Sequence, residues 1–243
     1  MAEKAPDLSG RDIEDLGLHH ARVRRMGMVN ARVTGAYLLN ASIEGDFEGL
    51  RMNGVLVAPL IEAELKKQHP ILGRNDSRSA DGLRRGVEDV YALWGELEAR
   101  AAALDESQLH ERVDEEWSFV ETMRHLIYAS DCWFRRGVLN EAEPFHAIGV
   151  THTEAYGEVP GIDLDADPTF AEVIAARREN QAAVRAFAAT LTNESVQETR
   201  TPTGPGHPDG AVRVGDAFWV IVNEEFWHGQ YAARDLDALT AAR

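Results

Sequence analysis

Residues 214–239 read as a helix that is apolar on nearly every side, and this constrains the chain more than any other feature. Ala217, Ile221 and Tyr231 share one face, while Phe218, Val222, Phe226, Ala233 and Leu236 occupy the other. Such a helix is stable in water only when other helices surround it. Three further helices are expected from spacing. One runs over about 80–104 with Leu83, Val87, Val90, Leu93 and Leu97 at intervals of three and four. A second starts at Ser118, where Ser118 and Glu121 form a capping box, and runs to about Leu139. A third opens at Asp167-Pro168-Thr169, with Glu172 three residues after Thr169, and carries Phe170, Ile174, Val184, Phe187 and Leu191. The expected architecture is mainly α, a four-helix bundle over 79–243, with an irregular segment at 140–166 and a loop at 201–208. Residues 57–78 are expected as a short helix, ended by Pro70, and a polar linker over 73–79.

The front of the chain follows another rule. Leu8, Ile13, Leu18, Val23, Met28, Val33, Leu38 and Ile43 recur every five residues, with Ala21, Ala31, Ala36 and Ala41 two places before the later members. Neither a 3.6-residue helix nor a two-residue strand produces this period, whereas a square coil with five residues per side does. Residues 1–56 resemble pentapeptide-repeat proteins, which implies a short right-handed β-solenoid. Eight units make two coils, which bury little alone, so the segment is expected as a structural appendage. It carries seven bases and eight acids, a net of 7 − 8 = −1, which does not mimic a phosphate backbone.

Glu224 and His228 lie four residues apart, one helical turn, and therefore share a face. A carboxylate and an imidazole amid apolar residues need buried partners: a divalent metal is one answer, an ion pair with an arginine another. His125, set among Leu126, Ile127 and Tyr128 of the second helix, is the candidate third ligand. Two histidines and a carboxylate leave coordination positions open, which suits catalytic Zn²⁺ and also Fe²⁺ or Ni²⁺.

Trp117-Ser118-x-x-Glu121-x-x-x-His125-Leu126, followed by Trp133 and Arg136, resembles the second helix of the DinB superfamily of metal-binding bundles. Asn223-Glu224-Glu225-Phe226-Trp227-His228, followed by Tyr231 and Arg234-Asp235-Leu236, resembles its last helix. Many members have histidine in the first place of the final pair. Glu224 stands there instead, as in the metal domain of the mycothiol-dependent maleylpyruvate isomerases. The resemblance implies a metal site at His125, Glu224 and His228, and an enzyme that activates a low-molecular-weight thiol for transfer or isomerisation of a small-molecule substrate. Two other readings stay open: a metal-stabilised binding module without turnover, and a protein whose repeat segment recruits a protein partner.

Other residues carry weaker expectations. Glu121, His146 and Tyr231 are candidate catalytic groups, although the capping box accounts for Glu121 and an exposed loop accounts for His146 and His152. Tyr231 and Asp235 are expected either to orient the ligand imidazoles or to pair with Arg136. Cys132 reads as a small buried hydrophobe. A single cysteine and the lack of an apolar run after Lys4 point to a reducing cytoplasm without a signal peptide. A formal net charge of −16 argues against nucleic acid and anionic membranes as partners, and a homodimer is compatible with all of this.

Overall fold

The computed structural model describes residues 7–23, 26–45, 47–151, 159–203 and 208–241. The chain divides into two units, residues 1–46 and residues 47–243.

In the second unit the expected helices form. They are α3 (Ala80–Ala101), α5 (Phe119–Ser130), α6 (Phe170–Thr190) and α7 (Val214–Ala241). Helix α3 packs on α7 and α6, and α5 packs on the same two, so the four close into a ring with α3 and α5 on one diagonal. Their starts follow the chemistry of the exposed N–H groups at a helix end. Ser79 caps α3 through Gly82, and Ser118–Glu121 and Thr169–Glu172 form reciprocal capping boxes on α5 and α6. Two apolar layers fill the ring. One gathers Leu83, Val87, Phe134, Val184, Phe218 and Val222; the other gathers Trp94, Phe119, Met123, Leu126, Val173 and Leu236.

Several smaller elements were not expected. Strands β1 (Arg51–Met52) and β2 (Val55–Leu56) form a hairpin closed by Asn53-Gly54, both at positive φ, the pairing that a two-residue turn demands. The short helix expected ahead of Pro70 forms as α1 (Ala58–Gln68), with no buried residue, while Pro70 opens a further, unexpected helix, α2 (Pro70–Arg74). Helix α4 (Glu106–Leu109) follows α3, and β3 (Thr199–Arg200) pairs antiparallel with β4 (Val212–Arg213) just before α7.

The expected β-solenoid is not found. Among described residues 7–45 there is no strand, and the aliphatic row lies 45–61% exposed. A repeat long enough for only two coils offers each unit at most one neighbouring coil to bury the row against, which is the cost of so short a repeat. The period of five nevertheless persists in the backbone. Gly10, Asp15, His20, Asn30, Gly35, Asn40 and Gly45 all have positive φ. These residue types enter the left-handed region at least cost, so their recurrence two places after the aliphatic residues is a second signal of the repeat.

The helix begun by α5 does not end at Ser130. It continues as a wider π-helical turn over Asp131–Arg136, a form common where a side chain must be re-aimed. Asp131 is fully buried there and ties down the following segment: the His146 N–H donates to Oδ2 at 2.8 Å and Asn180 of α6 donates to Oδ1 at 2.9 Å. Arg124 donates to the Ile148 carbonyl at 2.8 Å, and the Val150 N–H donates to the Arg124 carbonyl at 3.3 Å. The stretch 146–150 is thus strapped along α5.

Burial pushes the Asp131 carboxyl up to about 7, against the hydrogen bonds from His146 and Asn180 and the charge of Arg135. The folded protein then binds a proton that the unfolded chain, with a carboxyl near 3.8, has released. Stability contributed at this position therefore falls as pH rises from about 4 to about 7. Asp131→Asn is expected to flatten that slope, by on the order of 2–4 kcal/mol across the window, in chemical denaturation at a series of pH values.

Candidate metal centre

Glu224 and His228 project from one face of α7, and His125 meets them from α5, which packs against it. Glu224 Oε2 lies 3.4 Å from His125 Nε2 and 3.2 Å from His228 Nε2. One ligand atom from each of the three falls within 4.8 Å of the others. Donors held at ~2.0–2.1 Å around a tetrahedral ion stand ~3.3 Å from one another, so the two spacings are compatible with a shared cation as well as with direct hydrogen bonds.

The tautomer of His125 agrees. Its Nδ1 lies 3.1 Å from the Val150 carbonyl, which can only accept, so Nδ1 carries the proton and donates. Nε2 then faces a carboxylate oxygen, a contact that either a proton on Nε2 or a cation between the two satisfies. A histidine ligand held by a backbone carbonyl through its far nitrogen is the usual arrangement around metals. The strap along α5 is what brings the Val150 carbonyl to this position.

Burial alone would raise the Glu224 carboxyl, but hydrogen bonds and charge from His125 and His228 outweigh it and leave the group well below the usual carboxylate range. Glu224 is therefore held as a carboxylate beside the two imidazoles. The side chain of His125 is 5% exposed, that of His228 18% and that of Glu224 35%, so solvent reaches the cluster from the α7 side. Trp117, just before the α5 cap, lies against both imidazoles, its ring 4.7 Å from that of His125 and 6.0 Å from that of His228. It walls off one flank.

The other candidates lie elsewhere or are committed to structure. Glu121 caps α5 through Ser118 and is held by Arg112 at 2.8 Å. His146 has an exposed side chain, and its ring accepts from the Ile148 N–H at 3.3 Å. His152 lies outside the described residues. Tyr231 is on the exposed side of α7 with its ring edge-on to His228 at 6.0 Å. Asp235 does not pair with Arg136: Arg234 takes it at 2.8 Å, and Arg136 reaches the segment before α7, where it donates to the Pro208 carbonyl at 3.0 Å. Two groups at the cluster were not expected, the stacked ring of Trp117 and the carbonyl of Val150. The first had a signal in its position beside the Ser118 cap, while a carbonyl leaves none.

A family model described as the DinB superfamily matches residues 90–232, more than half of the chain and a range that includes His125, Glu224 and His228. The chain belongs to the DinB superfamily. No curated protein and no solved structure matches it. Among the described residues, no helix of this DinB-superfamily chain is long and apolar enough to cross a membrane.

Cys132 is buried in a small cluster with Tyr128 and Val159, and burial pushes its thiol up to about 12 despite a hydrogen bond with Tyr128. In the native protein Cys132 is expected to resist iodoacetamide at about pH 8, and to label fully in denaturant; mass spectrometry of the intact chain reads the difference.

Proposed function

We propose that the chain is a divalent-metal enzyme in which His125, Glu224 and His228 hold the ion and a low-molecular-weight thiol is activated for transfer to, or isomerisation of, a small electrophilic substrate. The observation that carries the metal is the single carboxylate oxygen set 3.2 and 3.4 Å from two imidazole nitrogens. Zn²⁺ suits a ligand set of two nitrogens and one oxygen, with Fe²⁺ and Ni²⁺ as alternatives. When bound, such an ion supplies a Lewis acid that lowers the pKa of a thiol at an open coordination position.

The chain's own residues perform the remaining tasks. Glu224 offsets charge, and its exposure marks the side from which a small molecule reaches the cluster. The Val150 carbonyl fixes the ring of His125. Trp117 excludes water from the flank it covers. The thiol has to come from outside the chain, because the single cysteine, Cys132, is buried and held protonated. The similarity of the Glu224–His228 pair to that of the mycothiol-dependent maleylpyruvate isomerases supports this choice of co-substrate. Residues 1–46, with their period of five, are read as a pentapeptide-repeat-like appendage rather than part of the site.

Metal analysis of the purified protein is expected to give one divalent ion per chain. His125→Ala, Glu224→Ala and His228→Ala are each expected to lower metal affinity by at least about a hundredfold, or ~3 kcal/mol, since each removes one of three donors. Metal content unchanged in His228→Ala defeats the assignment. Metal present without thiol consumption across a panel of electrophiles makes the protein a binding module instead. Deletion of residues 1–46 is expected to leave metal content as it is.

A further inference from the structure

The two glutamates at the middle of α7 have opposite environments. Glu224 faces the cluster, whereas Glu225 is turned into the bundle between the two apolar layers and is fully buried. Three helices meet on Glu225. Arg177 of α6 donates to its carboxylate at 2.8 Å, with both side chains 2% exposed. Trp94 of α3 donates its indole N–H to the Glu225 backbone carbonyl at 2.9 Å. The Arg177 guanidinium lies over the Trp94 ring at 4.7 Å, which closes the triangle.

One turn along α7, Gly229 lies directly beneath Leu93 of α3, where a Cβ would come within 2.9 Å of Leu93 Cδ2. Both contacts fall within one residue of a member of the cluster. They fix the rotation and the rise of α7 where Glu224 and His228 leave it. Helix α6 also reaches the helix that bears His125: Asn180, one turn from Arg177, donates to Asp131 at 2.9 Å and to the Ile127 carbonyl at 3.5 Å. Helix α6 contributes no residue to the cluster, yet it holds both helices that do.

Stability is a poor account of this pair. Both side chains have been taken out of water, and the Arg177 Nε–H meets no hydrogen-bond partner among the described residues. Apolar residues of similar size often serve a core equally well or better. We propose that Arg177, acting through Glu225 and supported by Trp94, is a positioning residue that sets α7 so that Glu224 and His228 meet His125.

The test uses the full chain as the Arg177→Met/Glu225→Met double variant, which removes both charges and keeps the volume. Thermal unfolding is expected to remain one cooperative transition. Zn²⁺ affinity, read by competition with a chromophoric chelator, is expected to fall by about tenfold or more, as it does when groups that orient ligands are removed. The Co²⁺ absorption bands of the site are expected to shift, and so are the imidazole ¹⁵N–¹H signals of His125 and His228 in metal-free protein. Unchanged Zn²⁺ affinity together with unmoved imidazole signals overturns the proposal.

If the double variant does not fold, Trp94→Phe decides the matter, because it keeps an aromatic ring near Arg177 while it removes the donor to the Glu225 carbonyl together with part of the indole's volume. It is expected to move the same signals in the same sense, and unmoved signals again overturn the proposal. The inference rests on the metal reading for its affinity measurement alone. A wild type that binds no Zn²⁺ defeats that reading, and the imidazole signals of the metal-free variants still decide this one.

Discussion

Helix α7 buries its apolar residues against its neighbours along most of its length, and each polar group buried with them must be answered from a neighbouring helix. That requirement organises the bundle. Burying its apolar residues draws α3 and α5 against it, and the desolvation of Glu224, Glu225 and His228 would cost more than the packing gains if partners did not converge on them. His125, Arg177 and Trp94 come from three different helices to meet two adjacent residues of α7. The polar level between the two apolar layers is where the four helices agree on a single arrangement, because apolar layers alone tolerate sliding and rotation.

The contrast between Glu224 and Glu225 illustrates how environment assigns roles to identical side chains. Successive residues on a helix point about 100° apart, so neighbouring carboxylates cannot share a partner. Glu225 faces an arginine, and both side chains are buried. Glu224 faces two imidazoles and retains a third of its surface to solvent. One is a closed pair; the other is a set of three donors with an opening. Only the second arrangement can accept something from outside.

The parts of this structure that were legible in the sequence are those governed by local rules. Helix starts at Ser79, Ser118 and Thr169 follow from capping chemistry within three residues, and the shared face of Glu224 and His228 follows from helical spacing. The approach of His125 to that face depends on contacts 99 residues apart in sequence, and only the family resemblance suggested it. Arg177 was legible in principle: it falls on the stripe of Val173, Gln181 and Val184, where a charged residue in the core demands a counter-charge. The hairpin at Asn53-Gly54 was equally open to reading. The π-helical turn and the strap over 146–150 were not, since a buried aspartate and backbone carbonyls produce no periodicity.

The repeat segment separates pattern from burial. A period of five is sustained both by the aliphatic residues and by the glycine, asparagine, aspartate and histidine positions that follow them at positive φ. Local backbone preference is therefore satisfied unit by unit, whereas burial is a property of stacking and grows only with the number of coils. An apolar row at 45–61% exposure is what remains when the local rule is obeyed and the stacking contribution is missing. In α7 the opposite holds: tertiary contacts with α3, α5 and α6 supply what local preference does not, and they bring polar groups of four helices together. The distinction explains why the buried polar cluster forms in the bundle, although the repeat is the more conspicuous feature of the sequence.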